Sequence, residues 1–223
     1  MGCLRFAFFR SQSASWPPST SCYALIRWLA RPALAIVVLA LARLSSAAQQ
    51  CPTEPSAGQG FVVERGERQK SDVFRLDQGI VRSVMRYDGT TLLETMQFEG
   101  LFLLDRLDRG RRTRYEPSTD LKALFPMKPG QQVNAEFTTE SQGQHGRLSV
   151  ELSVKKAEEM YIGPCKYSVL RIERSESNSA EPARFIDTDL YSPELKLILG
   201  REYKDRNGRT ELIKYDRIYP IKN

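Results

Sequence analysis

The sequence predicts an all-β fold with minor helix, in which about ten to eleven strands form a single curled antiparallel sheet, a half-barrel or a barrel. Three observations favour this fold: apolar and polar residues alternate over short stretches, glycine turns recur at a regular spacing, and helical patterns are rare. The alternation is clearest over residues 148–155, where Leu148, Val150, Leu152 and Val154 are apolar and their neighbours are polar. A period of two residues is typical of a strand with one face in water.

Turn signals divide the first half of the chain into short strands. Gly79, Gly89, Gly100 and Gly110 follow one another at intervals of 10, 11 and 10 residues. Turns at intervals of roughly 8 to 12 residues are typical of sandwiches and barrels. The predicted strands are one that begins at Phe61–Val63, then Ile80–Tyr87, Thr90–Phe98, Leu101–Leu107 and Arg111–Glu116. Residues 101–104 are apolar on both faces, so we expect another element to cover their outer side.

The second half of the chain continues the same pattern. After the turn Pro129-Gly130, the predicted strands are Gln132–Thr139, the alternating stretch that starts at Leu148, Cys165–Ser175, Arg184–Tyr191, Leu197–Tyr203 and Thr210–Arg217. The last two meet across Asn207-Gly208. Asn-Gly between two such stretches predicts a hairpin, because both central residues of a type I′ turn need positive φ. Glu140–Gly146 and Arg174–Pro182 are predicted to be polar loops.

Helix is expected at two places. Ser118–Asp120 supplies a cap for a short helix over Leu121–Phe125. Pro126 ends that helix, because the residue before a proline avoids the helical region. Lys155–Tyr161 is predicted to form one or two helical turns at the end of its strand. Either helix is a candidate cover for residues 101–104.

Residues 1–48 are predicted to be a cleaved signal peptide. Arg27 and Arg31 precede the apolar segment Pro32–Ala42, and the small residues 45–48 follow it. The apolar segment is about eleven residues long, whereas a membrane-spanning helix needs ~20. An uncleaved signal anchor is the alternative. The rest of the chain is divided into a flexible arm over residues 49–60, a single β domain over 61–219 and a tail over 220–223, and the protein is expected to be periplasmic or secreted.

The net charge of +6 comes largely from the predicted leader. Five of the 33 lysines and arginines precede Ala48, whereas all 27 acidic residues follow it. Without the leader the chain has 28 basic and 27 acidic residues, a balance of +1. An exported protein with almost no net charge is a poor partner for nucleic acid, so we expect none. A lipid or an envelope protein is the expected partner, no integral membrane segment is expected after cleavage, and the oligomeric state stays open.

Cys51 and Cys165 are the two cysteines that remain once the leader is removed. A disulfide between them is one expectation, because exported proteins enter oxidising compartments. The other is a pair of free thiols, one on a mobile terminus and one buried as a small apolar group. A lipid anchor on Cys51 is not expected, since Gln50 rather than a small residue precedes it. Metal binding is not expected either, because a single histidine cannot complete a tetrahedral site with these two cysteines.

Two short segments carry a resemblance to a known fold. They are Leu124–Gly130 (LFPMKPG), which precedes a strand, and Tyr191–Leu195 (YSPEL), which is followed by Arg201–Tyr203. These segments resemble recurrent features of exported bacterial β-domains of unknown function, which in turn are similar to the half-barrel fold of the periplasmic lipoprotein carriers. The resemblance spans residues 61–219 and implies a curled antiparallel sheet with an apolar concave face. The carriers' helices that fill the concave side have no obvious counterpart here, so the resemblance does not extend to lipid carriage.

Asp187 and Asp189 are the weak candidates for catalysis. They share one face of a predicted strand at positions i and i+2, close enough for a carboxylate pair of the glycosidase or cation-binding type. Tyr191 lies on the same face and is the weak candidate for ligand binding. Two acids on the wet face of a strand are the commoner meaning of this pattern, in which case the pair has no catalytic role.

His145 and the arginine-rich stretch Arg109–Tyr115 are interpreted as surface features. His145 is the single histidine, and the sequence identifies no nucleophile or orienting acid for it. The arginine cluster divides between the two faces of a strand, because Arg112 and Arg114 face one way and Arg111 the other. Anionic lipid head groups and cell-wall polymers are the alternative partners of this stretch.

The expected function is that of a non-catalytic exported envelope protein, which binds an apolar ligand or an envelope partner on its curled sheet. The sequence contains no glycine-rich phosphate loop, nucleophile elbow or metal-ligand spacing, and we expect no cofactor and no metal. Enzymatic activity is not the favoured interpretation but stays open. The alternatives are an envelope hydrolase that uses strand carboxylates and a purely structural assembly subunit. An open apolar inner face, a polar cleft and a filled core would distinguish the three.

Overall fold

The computed structural model describes residues 50–179, 185–204 and 208–221 of the chain. In chain order the strands are β1 Phe61–Arg65, β2 Gln69–Arg75, β3 Ile80–Tyr87, β4 Thr90–Phe98, β5 Phe102–Asp108, β6 Arg111–Pro117, β7 Gln132–Ser141, β8 Gln144–Ile162, β9 Cys165–Asn178, β10 Phe185–Ser192, β11 Leu197–Lys204, β12 Thr210–Lys214 and β13 Arg217–Pro220. The one-turn helix α1 covers Glu54–Ala57, and the 3₁₀ helices η1 and η2 cover Asp77–Gly79 and Leu121–Leu124. The predicted leader and the predicted turn residues 205–207 lie outside the described residues.

All thirteen of these strands belong to one antiparallel sheet. Each strand from β1 to β12 pairs with its neighbours in the chain, and β13 returns to pair with β1, so β12 and β13 form the two edges. The prediction of an all-β fold with a single antiparallel sheet and minor helix is confirmed, and the sheet is not closed into a barrel. The strand count is higher than the ten or eleven predicted, because β2 carried no recognised signal and the predicted strand Thr210–Arg217 divides between β12 and β13.

The sheet curls until distant strands touch. The Tyr191 hydroxyl in β10 donates a hydrogen bond of 2.8 Å to the carbonyl oxygen of Glu99, in the turn between β4 and β5. Arg174 Nη2 in β9 donates to the carbonyl oxygen of Leu101 at 2.9 Å. Lys196 Nζ, in the turn between β10 and β11, binds Glu99 Oε1 at 2.7 Å. These contacts join strands that stand at least four places apart in the sheet order.

Two hydrophobic cores lie on opposite faces of β9. Tyr167 and Val169 pack in the first core, and Leu170 and Ile172 pack in the second. Consecutive residues of a strand point to opposite faces, so β9 is covered on both sides. The first core gathers β1–β3 with β8–β11 and β13, and the second gathers β4, β5, η2 and β7–β10.

The predicted helix over Lys155–Tyr161 is wrong, because these residues continue β8. The register with β9 shifts between Val154 and Lys156, which marks a β-bulge. The bulge lets β8 supply Val154 to the second core and Met160 to the first. Cross-strand pairing and the burial of Met160 outweigh the helix propensity of a stretch rich in Lys, Ala and Glu.

The two predicted polar loops are also shorter than expected. β7 and β8 extend through most of Glu140–Gly146 and leave a two-residue turn, Gln142-Gly143, with φ of 51° and 75°. β9 continues to Asn178, so the first half of the predicted loop Arg174–Pro182 is strand.

The short helix predicted after Asp120 is confirmed as η2. The Asp120 carboxylate accepts a hydrogen bond of 3.1 Å from the backbone N–H of Lys122. Leu121 and the following Phe125 pack in the second core, where the rings of Phe125 and Phe102 meet edge to face at 6.1 Å between centroids. η2 and the segment after it therefore supply a cover for the apolar start of β5.

A disulfide joins Cys51 to Cys165, with the two Cα atoms 5.5 Å apart. It attaches the segment before β1 to the start of β9. Tyr167 strengthens the attachment, because its hydroxyl donates to the carbonyl oxygen of Pro52 at 3.1 Å. Residues 50–60, predicted as a flexible arm, also carry α1, and Ala57 is fully buried in the first core. In the described part of the chain, helices are too short to traverse a bilayer.

Candidate binding cavity

Two adjoining cavities lie on the inner side of the curled sheet. The first, here called the polar cavity, has a volume of about 470 Å³ and lies between β5–β9 and β11. The second, here called the apolar cavity, has a volume of about 410 Å³ and lies between β2–β4 and β11–β12. Gln97, Ile198 and Arg201 line both. Each volume is within the range of small-molecule sites, which is roughly 300 to 1,000 Å³.

Small residues in register make room for the apolar cavity. Ser83 of β3 pairs with Thr95 of β4, and both side chains line the cavity. Ser71 of β2 pairs with Met85 of β3 on the same inner face. Most of the accessible lining is nevertheless apolar, and its apolar members include Met85, Leu93, Leu197, Ile198 and Leu199.

The polar cavity has an apolar floor and a hydroxyl-rich rim. Phe102, Phe137 and Leu148 form part of the floor. At the rim, Thr113 of β6 pairs with Ser141 of β7, and its hydroxyl donates to the Ser141 hydroxyl at 3.1 Å. Tyr115, two residues along β6, also lines the cavity, and burial raises the pKa of its hydroxyl. The Tyr115 hydroxyl therefore stays protonated at neutral pH and is able to donate a hydrogen bond.

Four arginines line the polar cavity: Arg106, Arg147, Arg174 and Arg201. Two of them share the buried carboxylate of Asp189, with Arg174 Nε at 2.6 Å and Arg201 Nε at 2.7 Å. Arg174 also binds Glu176 at 3.1 Å. Burial alone would lower the pKa of Arg174, but the charges and hydrogen bonds of Asp189 and Glu176 together raise it above its ordinary value. Arg174 is therefore a permanent buried cation.

The two remaining arginines stand nearer to solvent. Arg106 Nη2 binds Asp108 Oδ2 at 2.6 Å, and both side chains are more than a third exposed. Arg147 is exposed, and in the described part of the chain it forms no ion pair. The register of β7 and β8 places Arg147 on the same outer face as its cross-strand partner Thr138, so its charge is directed away from the floor of the polar cavity.

Of the three site candidates from the sequence, the two aspartates contact arginines of the polar cavity and Tyr191 does not line it. Asp189 is fully buried between Arg174 and Arg201, and Asp187 Oδ2 lies 3.7 Å from Arg201 Nη1. Tyr191 is buried in the second core and lines neither cavity. Both carboxylates are thus directed at an arginine, Arg201.

The other predicted surface features stay at the surface. His145 is exposed in β8, opposite Glu140. Arg112 binds Asp105 at 2.9 Å and Arg114 lies 3.9 Å from Glu140, while Thr113 between them faces the polar cavity. Among the described residues, no three His, Cys, Asp or Glu side chains are grouped closely enough to hold a metal ion.

Sequence reasoning did not identify Arg106, Arg147 and Arg174 as site residues. They lie on three different strands, β5, β8 and β9, and only the strand register brings them to one cavity. The sequence does hold one signal. Arg174 interrupts an otherwise apolar inner face at 170 and 172, and a charged residue in such a position needs a partner.

No protein-family model and no curated protein matches the chain. Among solved structures it is similar to the hypothetical lipoprotein YmcC from Escherichia coli, with 12% identity and a TM-score of 0.46 over 80% of this chain and 96% of that one. It is also similar to a protein of Bacteroides fragilis that is described as exported and as having a YmcC-like fold, with 11% identity and a TM-score of 0.40 over 71% of this chain and 92% of that one. Neither is described as a lipoprotein carrier. At TM-scores this low the likeness carries no argument about function.

Proposed function

We propose that this chain is a non-catalytic exported protein of the bacterial envelope that binds an apolar ligand inside its curled sheet. The observation that carries the proposal is the apolar cavity between β2–β4 and β11–β12, which adjoins a second cavity instead of being filled by side chains. A purely structural subunit needs no such concave apolar surface, whereas small-molecule sites are typically concave and largely apolar.

The arrangement of the acids supports binding over hydrolysis. A glycosidase-type pair needs one carboxyl group that can give up or accept a proton beside the substrate. Asp189 is fully buried with its two oxygens bound by Arg174 and Arg201, and Asp187 lies 3.7 Å from Arg201. Their charges are used in holding β9, β10 and β11 together.

Export is supported by the predicted leader and by the disulfide between Cys51 and Cys165. Disulfides persist in oxidising compartments such as the periplasm and are rare in the bacterial cytosol. The proposed location is therefore the periplasm or the medium.

The test is to fill the apolar cavity and to measure what purifies with the protein. Thr95→Trp places a large ring in this cavity, whereas Met96→Trp places the same ring on the opposite, solvent-exposed face of β4. Each protein is purified from the bacterial envelope without detergent, and bound molecules are identified by mass spectrometry after denaturation. We expect an apolar molecule to purify with the wild type and Met96→Trp and to be lost from Thr95→Trp.

A wild-type protein that carries no apolar molecule and binds no added fluorescent apolar probe, such as N-phenyl-1-naphthylamine, would overturn the proposed function. Equal ligand content in both variants would place the ligand outside the apolar cavity and would contradict the assignment of the site.

A further inference from the structure

We infer that the apolar ligand carries one acidic group, a carboxylate or a phosphate, which Arg65 and the Tyr215 hydroxyl bind at the mouth of the apolar cavity while the apolar part lies against Met85 and Leu93. This inference rests on the proposed function and adds the chemical class of the ligand. Three features carry it: the direction of Arg65, the buried hydroxyl of Tyr215 and a pair of apolar side chains that neither core uses.

Arg65 points to the inner face of the sheet. It lies two and four residues after Val63 and Phe61 on β1, which are fully buried in the first core on that face. Its partner across β1 and β2 is Gln69, and Gln69 and Ser71 line the apolar cavity together with Arg65. Arg65 itself is exposed, so its guanidinium group stands where the cavity meets solvent.

The charge of Arg65 is not neutralised within the described part of the chain. Arg65 Nη2 donates to Gln69 Oε1 at 2.5 Å, and no carboxylate of the described residues lies within 4 Å of the guanidinium group. The preceding residue, Glu64, faces the other side of β1, where it binds Arg217 Nε at 3.0 Å. Asp216 instead accepts a hydrogen bond of 2.6 Å from a backbone N–H in the turn between β1 and β2.

The other two cations that line the apolar cavity have partners. Arg201 Nε binds the buried Asp189 at 2.7 Å, and Lys214 Nζ donates to the carbonyl oxygen of Tyr161 at 3.3 Å. The described residues of the lining include no aspartate and no glutamate. Arg65 is therefore the lining cation that is available to a ligand. A guanidinium group is suited to carboxylate and phosphate oxygens, because its N–H groups match their geometry in pairs.

Tyr215 adds a hydrogen-bond donor near this charge. Its ring packs against the first core, and the residue also lines the apolar cavity. Burial raises the pKa of the Tyr215 hydroxyl, and the nearby charges of Arg65 and Arg201 oppose part of this shift. Among the described residues the hydroxyl has no hydrogen-bond partner. It therefore stays protonated at neutral pH and is able to donate to an oxyanion.

The apolar part of the ligand has a surface of its own. Met85 of β3 pairs with Leu93 of β4, and both line the cavity. They are only partly buried and belong to neither hydrophobic core, so they are available for contact. Ser71 of β2 pairs with Met85, and Gln69, the partner of Arg65, is the next inner-face residue along β2. An apolar chain on Met85 and Leu93 is thus able to direct an acidic end toward Arg65.

Other ligand classes fit this lining less well. A cationic head group would meet Arg65 and Arg201 with no acid in the described lining to balance its charge. A ligand without a polar group would leave the charge of Arg65 and the hydroxyl of Tyr215 without a partner. An apolar molecule with one acidic group uses both ends of the cavity.

The experiment compares ligands of one chain length that differ only in the head group. Dodecanoate, dodecyl phosphate, dodecanol and dodecyltrimethylammonium are titrated below their micelle concentrations, and each affinity is measured from the displacement of N-phenyl-1-naphthylamine. We expect the anions to bind about tenfold more tightly than the alcohol, because hydrogen bonds to charged groups are the stronger ones. The cation should bind less tightly than the alcohol. The tighter of the two anions identifies the acidic group as carboxylate or phosphate, and either result supports the inference.

Three variants assign the preference to its residues. Arg65→Met removes the charge and keeps the length of the side chain, so the anions should lose their roughly tenfold advantage while dodecanol binds as before. Tyr215→Phe keeps the ring and should weaken the anions about fivefold. Arg82→Met is the matched control, because Arg82 is an exposed arginine on the face of β3 opposite to Ser83 and should leave all four affinities unchanged. Thermal unfolding of each variant shows whether it is folded.

A chain-length series tests the apolar part of the ligand. Each methylene added between octanoate and dodecanoate should tighten binding by up to about fourfold if it lies on apolar surface. Thr95→Trp should weaken dodecanoate and dodecanol alike, because Thr95 is the inner-face residue next to Leu93 on β4. Affinity that does not change with chain length, or that Thr95→Trp leaves unchanged, would overturn the inference.

The outcomes separate the inference from the proposed function. If dodecanol and the anions bind equally, or if Arg65→Met keeps the preference, the inference fails and the proposed function stands. If neither the alcohol nor the anions displace the probe, the proposed function itself fails.

Discussion

Asp189 shows how one residue determines the arrangement of three strands. It is fully buried in β10, and its two oxygens bind Arg174 of β9 and Arg201 of β11. A buried ion pair adds little net stability, because desolvation offsets the attraction, but removing one member leaves the other charge without compensation. The contacts of Asp189 with Arg174 and Arg201 therefore fix the register of β9–β11 and add little to the stability of the sheet.

We predict that Asp189→Asn lowers the free energy of unfolding by about 3–5 kcal/mol, because Arg174 then remains buried with only the partly exposed Glu176 as its acidic partner. Urea denaturation followed by circular dichroism measures the change. Asp108→Asn is the control, since it also removes the partner of a cavity arginine, Arg106, but at an exposed site where an ion pair contributes less than about 1 kcal/mol. Equal losses from both variants would contradict the role given to burial.

At the scale of the element, the strand ends are determined mainly by the turn residues next to them. The strands β3 and β4 begin and end at the residues predicted from the glycine spacing. The pairs Asp88-Gly89 and Glu99-Gly100 both have positive φ at the two central positions, as type I′ turns require. The second pair also meets a distant part of the chain. A Cβ atom on Gly100 would lie 1.8 Å from the carbonyl oxygen of Lys196, between β10 and β11.

We predict that Gly100→Ala destabilises the protein by about 3 kcal/mol or more, because the methyl group collides with backbone and separates the two turns. Gly89→Ala is the matched control, since Gly89 has a similar φ and a Cβ atom added to it would meet no other atom within 4 Å. Gly89→Ala should lower the free energy of unfolding by about 1 kcal/mol, which is the cost of placing alanine at a positive φ. The difference between the two midpoints in urea measures the contact, and equal midpoints would mean that the turns do not touch in solution.

What could not be predicted at this scale depends on partners far away in sequence. β2 has the sequence QKSDVFR, in which only Val73 is both apolar and buried, and the other buried residue is Ser71. Its strand conformation comes from its position between β1 and β3, not from its own pattern. The same reason explains Lys155–Tyr161, whose local sequence favours helix while its neighbour β9 imposes a strand. The arginines of the polar cavity belong to this class too, since register alone brings them together.

At the scale of the whole molecule, the disulfide closes a long loop. Cys51 and Cys165 are separated by 114 residues, and in the chain-entropy model a loop of that length contributes about 5 kcal/mol. Both cysteines pack at the first core, so the bond also holds α1 near β1.

We predict that dithiothreitol lowers the free energy of unfolding of the wild-type protein by up to about 5 kcal/mol. A variant with both Cys51→Ser and Cys165→Ser should match the reduced wild type and should not respond to the reductant. A wild-type protein whose unfolding midpoint is the same with and without reductant would show that the bond is absent in solution.

The curl of the whole sheet was the part of the fold that strand counting predicted best, because a long antiparallel sheet has to hide its edges. The cavity on the inner face, which is half open to solvent, was not predictable in this way. It depends on where small side chains such as Ser83 and Thr95 meet across a ladder, and nothing in their spacing along the chain distinguishes them from polar residues that face water.

The two edge strands of the sheet are neighbours in the chain. β12 ends at Lys214 and β13 begins at Arg217, so only Tyr215 and Asp216 connect the two borders of the sheet. The Cα atoms of Lys214 and Arg217 are three Cα-to-Cα steps apart, which span at most about 11 Å, so the two edge strands stay close at this end. If the two edge strands separate, the distance between them is smallest at Tyr215 and Asp216 and grows toward Thr210 and Pro220.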